Sequence, residues 1–156
     1  MALLLGAMPA ACSGGSSGPT RVEFVRQANR VCRNAAAEVS KLRIPGRADV
    51  GSMPQAASEV VAVQRRYLAR LRAIERPKED RTQIAQWLAL VDQTIDQAEV
   101  SAQSQSDGDI ARAVTANLNG AALDRRADER ARALGLEDCV QATSAPPTTS
   151  TTRPGA

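Results

Sequence analysis

From Thr20 to Leu136 apolar residues recur at spacings of three and four, in four successive stretches separated by turn-forming residues. That period belongs to a helix with one buried face; a half-buried strand needs a period of two. Thr20 and Glu23 have the spacing of a capping box, in which each side chain bonds the other residue's backbone. Val25, Ala28, Cys32, Ala35, Val39 and Leu42 form the first stripe, and Pro45-Gly46 ends it. Ser52 and Gln55 read as a second capping box, with Pro54 in the first turn, where proline is tolerated. The second stripe is Ala57, Val60, Gln64, Tyr67, Leu71 and Ile74, widened by Val61 and Leu68 and stopped by Pro77. Glu79 and Asp80 suit the positive end of a third helix. Its stripe is Ile84, Leu88, Val91, Ile95, Ala98 and Ala102. Ser106-Asp107-Gly108-Asp109 makes a turn and a cap. The fourth stripe is Ala113, Ala116, Gly120, Leu123, Ala127, Ala131 and Leu134. Gly135 suits the left-handed position after a helix, with Leu136 packing back on Ala131.

Composition agrees with helices. Alanine, the best helix former, occurs 29 times, and only Phe24, Tyr67 and Trp87 are aromatic. Strands favour aromatic and β-branched residues, so a β-rich fold is not expected. Four amphipathic helices of about 23–27 residues, joined by short connections, predict an all-α, up-down antiparallel four-helix bundle over residues 20–142. Ala-rich seams let helices approach closely but bury little area per residue.

The ends differ from this middle. Residues 1–11, MALLLGAMPAA, are uncharged and mostly apolar, too short to span a bilayer and of the size of a signal-peptide core. Cys12 follows at once, then a Gly/Ser tether to Pro19. Residues 143–156 are Thr/Pro-rich, lack any aliphatic residue larger than Ala, and are expected to be disordered.

An apolar run, small residues before a cysteine and a Gly/Ser tether resemble a bacterial lipoprotein signal. The resemblance extends to small exported lipoproteins of high-GC Gram-positive bacteria, through Phe24-x-x-x-Ala28-x-x-x-Cys32 and Leu134-Gly135-Leu136 before Cys139. Arginine outnumbers lysine 18 to 2, which suits such a genome. The resemblance implies that residues 1–11 are a signal peptide and that Cys12 is acylated, in the way that gives such proteins their palmitate. It implies anchoring at the outer face of the cell membrane; the alternative is a secreted protein. It carries over no activity.

Export bears on the other two cysteines. With Cys12 acylated, Cys32 and Cys139 are an even pair in an oxidising compartment, where a disulfide is expected rather than two unrelated buried thiols. The geometry sets a condition. Cys32 lies about 18 Å along its helix from Thr20, whereas an up-down bundle brings the end of helix 4 beside the start of helix 1. Either helix 1 projects beyond the rest, or residues 136–139 fold back along it.

Histidine is absent, which excludes Ser/His/Asp and Cys/His catalysis and leaves no four-ligand zinc set. No glycine-rich phosphate loop and no cofactor motif is present. Residues 21–78 carry a net charge of +8 and residues 79–156 one of −5, unlike a uniformly basic nucleic-acid binder. Asp92, Asp96 and Glu99 line one face of helix 3, as a solvated face or as acid–base groups. Arg26, Arg30 and Arg33 form a basic face on helix 1 that is expected to pair with them. Arg65, Arg66, Arg70, Arg72, Arg76 and Lys78 are expected to be solvated, and Arg125, Arg126, Arg130 and Arg132 to form exposed pairs with Asp124, Asp128 and Glu129. Tyr67 and Trp87 are core residues or the walls of a small apolar pocket. The expected function is a membrane-anchored, non-enzymatic interaction module with an unspecified protein or envelope partner. The alternatives are a small-ligand carrier with a pocket between the helices, or a carboxylate-dependent enzyme.

Overall fold

A computed structural model describes residues 18–43 and 50–143. They form four long helices and a short one: α1 (Arg21–Val39), α2 (Met53–Ala73), α3 (Arg81–Ser106), α4 (Ile110–Leu134) and α5 (Glu137–Thr143). A single 3₁₀ turn, Val50–Ser52, leads into α2. Among the described residues there is no strand. The apolar leader, Cys12 and the tail lie outside the described residues, apart from Thr143 at the end of α5.

The bundle is antiparallel throughout. Arg21 at the start of α1 meets Asp80, just beyond α2, while Glu38 near its end meets Arg66 and Tyr67 in the middle of α2. Arg72 and Arg65 of α2 meet successively later residues of α3, and Gln86 of α3 is bonded by Arg130 of α4. The core holds Phe24, Leu68, Ile84, Trp87, Leu134 and Leu136, with the three small residues Ala28, Ala127 and Ala131 where helices approach closely. Ala35, Val63 and Tyr67 form a second cluster under the end of α1.

The helix ends follow local chemistry. Thr20 is extended (φ −72°, ψ 158°) and caps α1 as a complete capping box with Glu23. Asp109 accepts a 3.0 Å bond from the Arg112 amide and caps α4. Ser52 is the N-cap of α2 but makes no capping bond, contrary to the box expected with Gln55. Its backbone (φ −95°, ψ −2°) already follows the 3₁₀ turn, whereas a capping side chain needs an extended backbone. Gln55 donates to Glu59 instead. Asp80 likewise does not cap α3: its carboxylate is buried beside Arg21.

The second stripe is rotated from the one expected. Ala56 and Val63 are buried with Val61, Tyr67, Leu68 and Leu71, while Ala57, Val60 and Gln64 are only half-buried. The reason is α1. At 19 residues it is shorter than expected and ends opposite Arg66 and Tyr67, so the first half of α2 has no neighbour on that side from α1.

The end of α4 resolves the cysteine geometry. Gly135 adopts φ 78°, its amide bonds Arg132 O, and the Leu136 amide bonds Ala131 O at 2.8 Å. The chain reverses there and α5 runs back along α1. Cys139 is thereby joined to Cys32, with 5.0 Å between their Cα atoms. Helix 1 does not project; residues 136–139 fold back along it.

Candidate functional site

Three regions of the described residues have the makings of a site. The first is a central apolar cavity of about 50 Å³ beneath α1. Its walls include the Cys32–Cys139 disulfide, Ala35, Tyr67, Leu71, Trp87 and Val91. The two aromatic residues singled out from the sequence thus share one cavity. Their helices place them there: Tyr67 is on the core face of α2, and Trp87 is one turn before Val91 on α3. A water needs about 10–15 Å³ measured this way, so the space has room for a small apolar group.

Tyr67 is both wall and hinge of a polar cluster. Its hydroxyl donates a 2.8 Å bond to Glu38, which also takes the Arg66 guanidinium. Arg70 lies 4.6 Å from the ring centroid, within cation–π range. The bond to Tyr67, followed by that to Arg66, holds the Glu38 carboxyl below its ordinary value. The same bond pushes the Tyr67 hydroxyl up, because ionising it would place two anions together.

The second region is the acidic face of α3. Arg65 donates to Asp92 at 2.8 Å, to Glu99 at 2.9 Å and to Asp96, and Arg72 donates to Asp92 at 2.7 Å. The expected partners on α1 are wrong: Arg26, Arg30 and Arg33 do not reach these acids. Helix α1 meets α2 and α5, and its Arg33 pairs with Asp138 of α5. Nor is the basic face of α2 simply solvated, since Arg65, Arg66 and Arg72 are all paired. The bonds to Asp96 and Glu99 raise the Arg65 guanidinium above its ordinary value, so one fixed cation serves three carboxylates. On α4, Arg132 pairs with Asp128 as expected, but Arg130 bonds Gln86 of α3. No group of three His, Cys, Asp or Glu among the described residues is placed to hold a metal ion.

The third region was missed in the sequence. Past the end of α1, the core opens as a groove of about 500 Å³ between α2 and α4, floored by α3. Gln64 and Thr94 border both the groove and the central cavity, so the two are neighbours along one cleft. Beside it, Ile110, Val114 and Leu118 of α4 are exposed by 62%, 51% and 68%. The available signal was a scarcity of charge in the segments forming this end, not the apolar period itself.

Gly18 lies at the opposite end, next to Glu75. Among the described residues no helix is long and apolar enough to cross a membrane. In comparisons with known proteins, no family model, curated protein or solved structure matches the chain.

Proposed function

We propose that the chain is an exported lipoprotein, held at the outer face of the membrane by acylated Cys12, that works by binding and not by catalysis. The observation that carries this is the Cys32–Cys139 bridge, which accounts for two of the three cysteines and leaves Cys12 as the third. Bridges of this kind belong to oxidising compartments. The described domain begins only six residues after Cys12, at the Gly18 end, so an anchor there directs the groove away from the lipid. Asp92, Asp96 and Glu99 each hold a guanidinium of α2, which supports reading them as cross-links between helices. Mass spectrometry of the protein from a lipoprotein-processing bacterial host tests the proposal. Loss of residues 1–11 and an acyl-sized mass increment on Cys12 are expected. An unmodified Cys12 with residues 1–11 attached overturns it.

The cavity favours a second reading, a carrier of a small apolar ligand. Trp87 is the only tryptophan and lines that cavity, so its fluorescence reports on occupancy. Saturable quenching or a blue shift on titrating xenon or a two-carbon alkane supports this reading, since a cavity that takes benzene is about 150 Å³. No change at the solubility limit removes it.

A further inference from the structure

Charge is segregated in this fold. Residues 18–43, which hold α1, carry six cations and two carboxylates, a net +4. Residues 50–143 carry twelve cations and fourteen carboxylates, a net −2. The excess of positive charge in the described residues therefore belongs to one helix and its exit. That helix lies at the edge of the bundle, packed on α2 and α5. Successive helical residues turn by about 100°, which puts Arg26, Arg30 and Arg33 within an arc of about 60°, on the side away from buried Phe24, Ala28 and Ala35. All three arginines are exposed. Lys41 and Arg43, also exposed, follow past the end of the helix, about 20 Å on from Arg26.

The carboxylates beside this row are engaged elsewhere. Glu23 is turned onto Thr20 as the cap of α1, Glu38 takes Tyr67 and Arg66, and Asp138 takes Arg33. Among the described residues no carboxylate, Glu137 of α5 included, lies within ion-pair distance of Arg26, Arg30, Lys41 or Arg43. On α2, by contrast, Arg65, Arg66 and Arg72 each hold one. What the row lacks narrows its partner. Phe24, Tyr67 and Trp87 are all buried, so no platform is offered to stacked bases. Val22 is the one large aliphatic side chain exposed on α1, too little apolar surface for seating in a bilayer interface or for the core of a protein interface. Guanidinium forks, however, match pairs of phosphate oxygens.

We infer that the outer face of α1 is a docking strip for a flexible linear chain of phosphates, gripped by Arg26 and Arg30 and continued by Lys41 and Arg43. Arg26 and Arg30 stand four residues apart, about 6 Å along the helix, so neighbouring units of one chain are in reach of both. The net negative charge of the other helices confines such a chain to this edge, because like charge repels it elsewhere. The inference rests on the reading of the chain as a binder and is independent of the lipid anchor.

The test uses the full chain carrying Cys12→Ser, which cannot be acylated, titrated with inorganic polyphosphate by calorimetry over a range of salt concentrations. Saturable binding that weakens with salt is expected. Arg26→Gln together with Arg30→Gln should weaken it roughly tenfold and lower the slope of log affinity on log salt by about 1–1.5, for two lost phosphate contacts. Arg26→Lys with Arg30→Lys, which keeps the charge and loses the forks, should weaken it by a smaller factor. Arg125→Gln with Arg126→Gln removes the same charge from exposed positions of α4 and should change the affinity by less than about twofold. Circular dichroism checks that helix content is the same throughout. No binding of polyphosphate at low salt, or equal weakening by the α1 and α4 pairs, overturns the inference. So does equally tight binding of polyglutamate, which would make the strip a general anion exchanger. Attachment to phosphatidylglycerol vesicles through Arg26 and Arg30, without affinity for polyphosphate, would make it a lipid contact and overturns the inference as well.

Discussion

Cys32 and Cys139 are bonded across a sequence separation of 107, although the first sits mid-way along α1 and the second follows the far end of α4. The bond therefore ties the first long helix to the last and encloses almost the whole folded chain. Closing a loop of about 100 residues removes roughly 4–5 kcal/mol of denatured-state entropy in the chain-entropy model. Replacing both cysteines by alanine is expected to lower unfolding stability by about 2–5 kcal/mol in urea titrations. A loss well under 1 kcal/mol would show that core packing holds α5 in place unaided.

Gly135 makes that bond reachable. Its φ of 78° is a conformation that costs an L residue about 1–2 kcal/mol, and the reversal it produces points α5 back along α1. A Cβ there would meet only Val25 at 3.9 Å, so space is not the obstacle. Gly135→Ala should destabilise by about 1–2 kcal/mol through backbone strain alone, with the disulfide still formed. Urea midpoints and thiol titration check the two parts separately.

Arg65 gathers three carboxylates that lie on successive turns of α3. Without it, Asp92, Asp96 and Glu99 repel one another along one helix face. Arg65 is about one-third exposed, so the network is partly screened. Arg65→Met is expected to cost about 1 kcal/mol at low ionic strength. The difference should shrink in roughly molar salt, where the Debye length falls to about 3 Å. A deficit independent of salt would assign the effect to packing of the arginine stem.

These features mark how far the sequence reaches. The capping box at Thr20, the cap at Asp109 and the left-handed Gly135 are local arrangements, decided within a few residues, and were readable as such. The partners of Asp92 and Arg33 were not. Both faces of α1 and α2 are basic, and only the packing order decides which one lies beside α3. The length of α1 was over-read because Leu42 keeps the apolar spacing beyond Val39, the last helical residue. That error hid the groove: with a longer α1, Ala57, Val60 and Gln64 would be core. Tyr67 and Trp87 were legible as large aromatic residues that are either core or the walls of one pocket, although Trp87 lies off the stripe read for the third helix, and the disulfide as a wall depended on α5.

The Tyr67–Glu38 bond predicts a pH response with two limbs. The Glu38 carboxyl lies below its ordinary 4.5 in the folded protein, so its contribution is complete above that value and is lost as pH falls through the lower folded one. The Tyr67 hydroxyl lies above its ordinary 10.0, so its contribution is complete below that value and is lost as pH rises through the higher folded one. Tyr67→Phe should remove the alkaline limb. It should weaken the acid limb without abolishing it, because Arg66 still holds Glu38. Urea midpoints across the pH range, for parent and variant, measure both.

The central cavity gives a test that separates spare space from a binding site. Ala35 sits on its wall at the edge of α1, and a valine there adds two carbons into about 50 Å³. Filling an empty cavity commonly stabilises by about 0.5–2 kcal/mol, less a few tenths for the lower helix propensity of valine. Ala35→Val should therefore stabilise the protein when no ligand is present. The same substitution should abolish any Trp87 response to xenon, because both compete for one volume. If the variant is destabilised, the side chains around Trp87 have no room to spare and the carrier reading fails with it. If it is stabilised yet xenon still shifts Trp87, the ligand enters from the groove side, past Gln64 and Thr94, and that passage is the place to look for its seat.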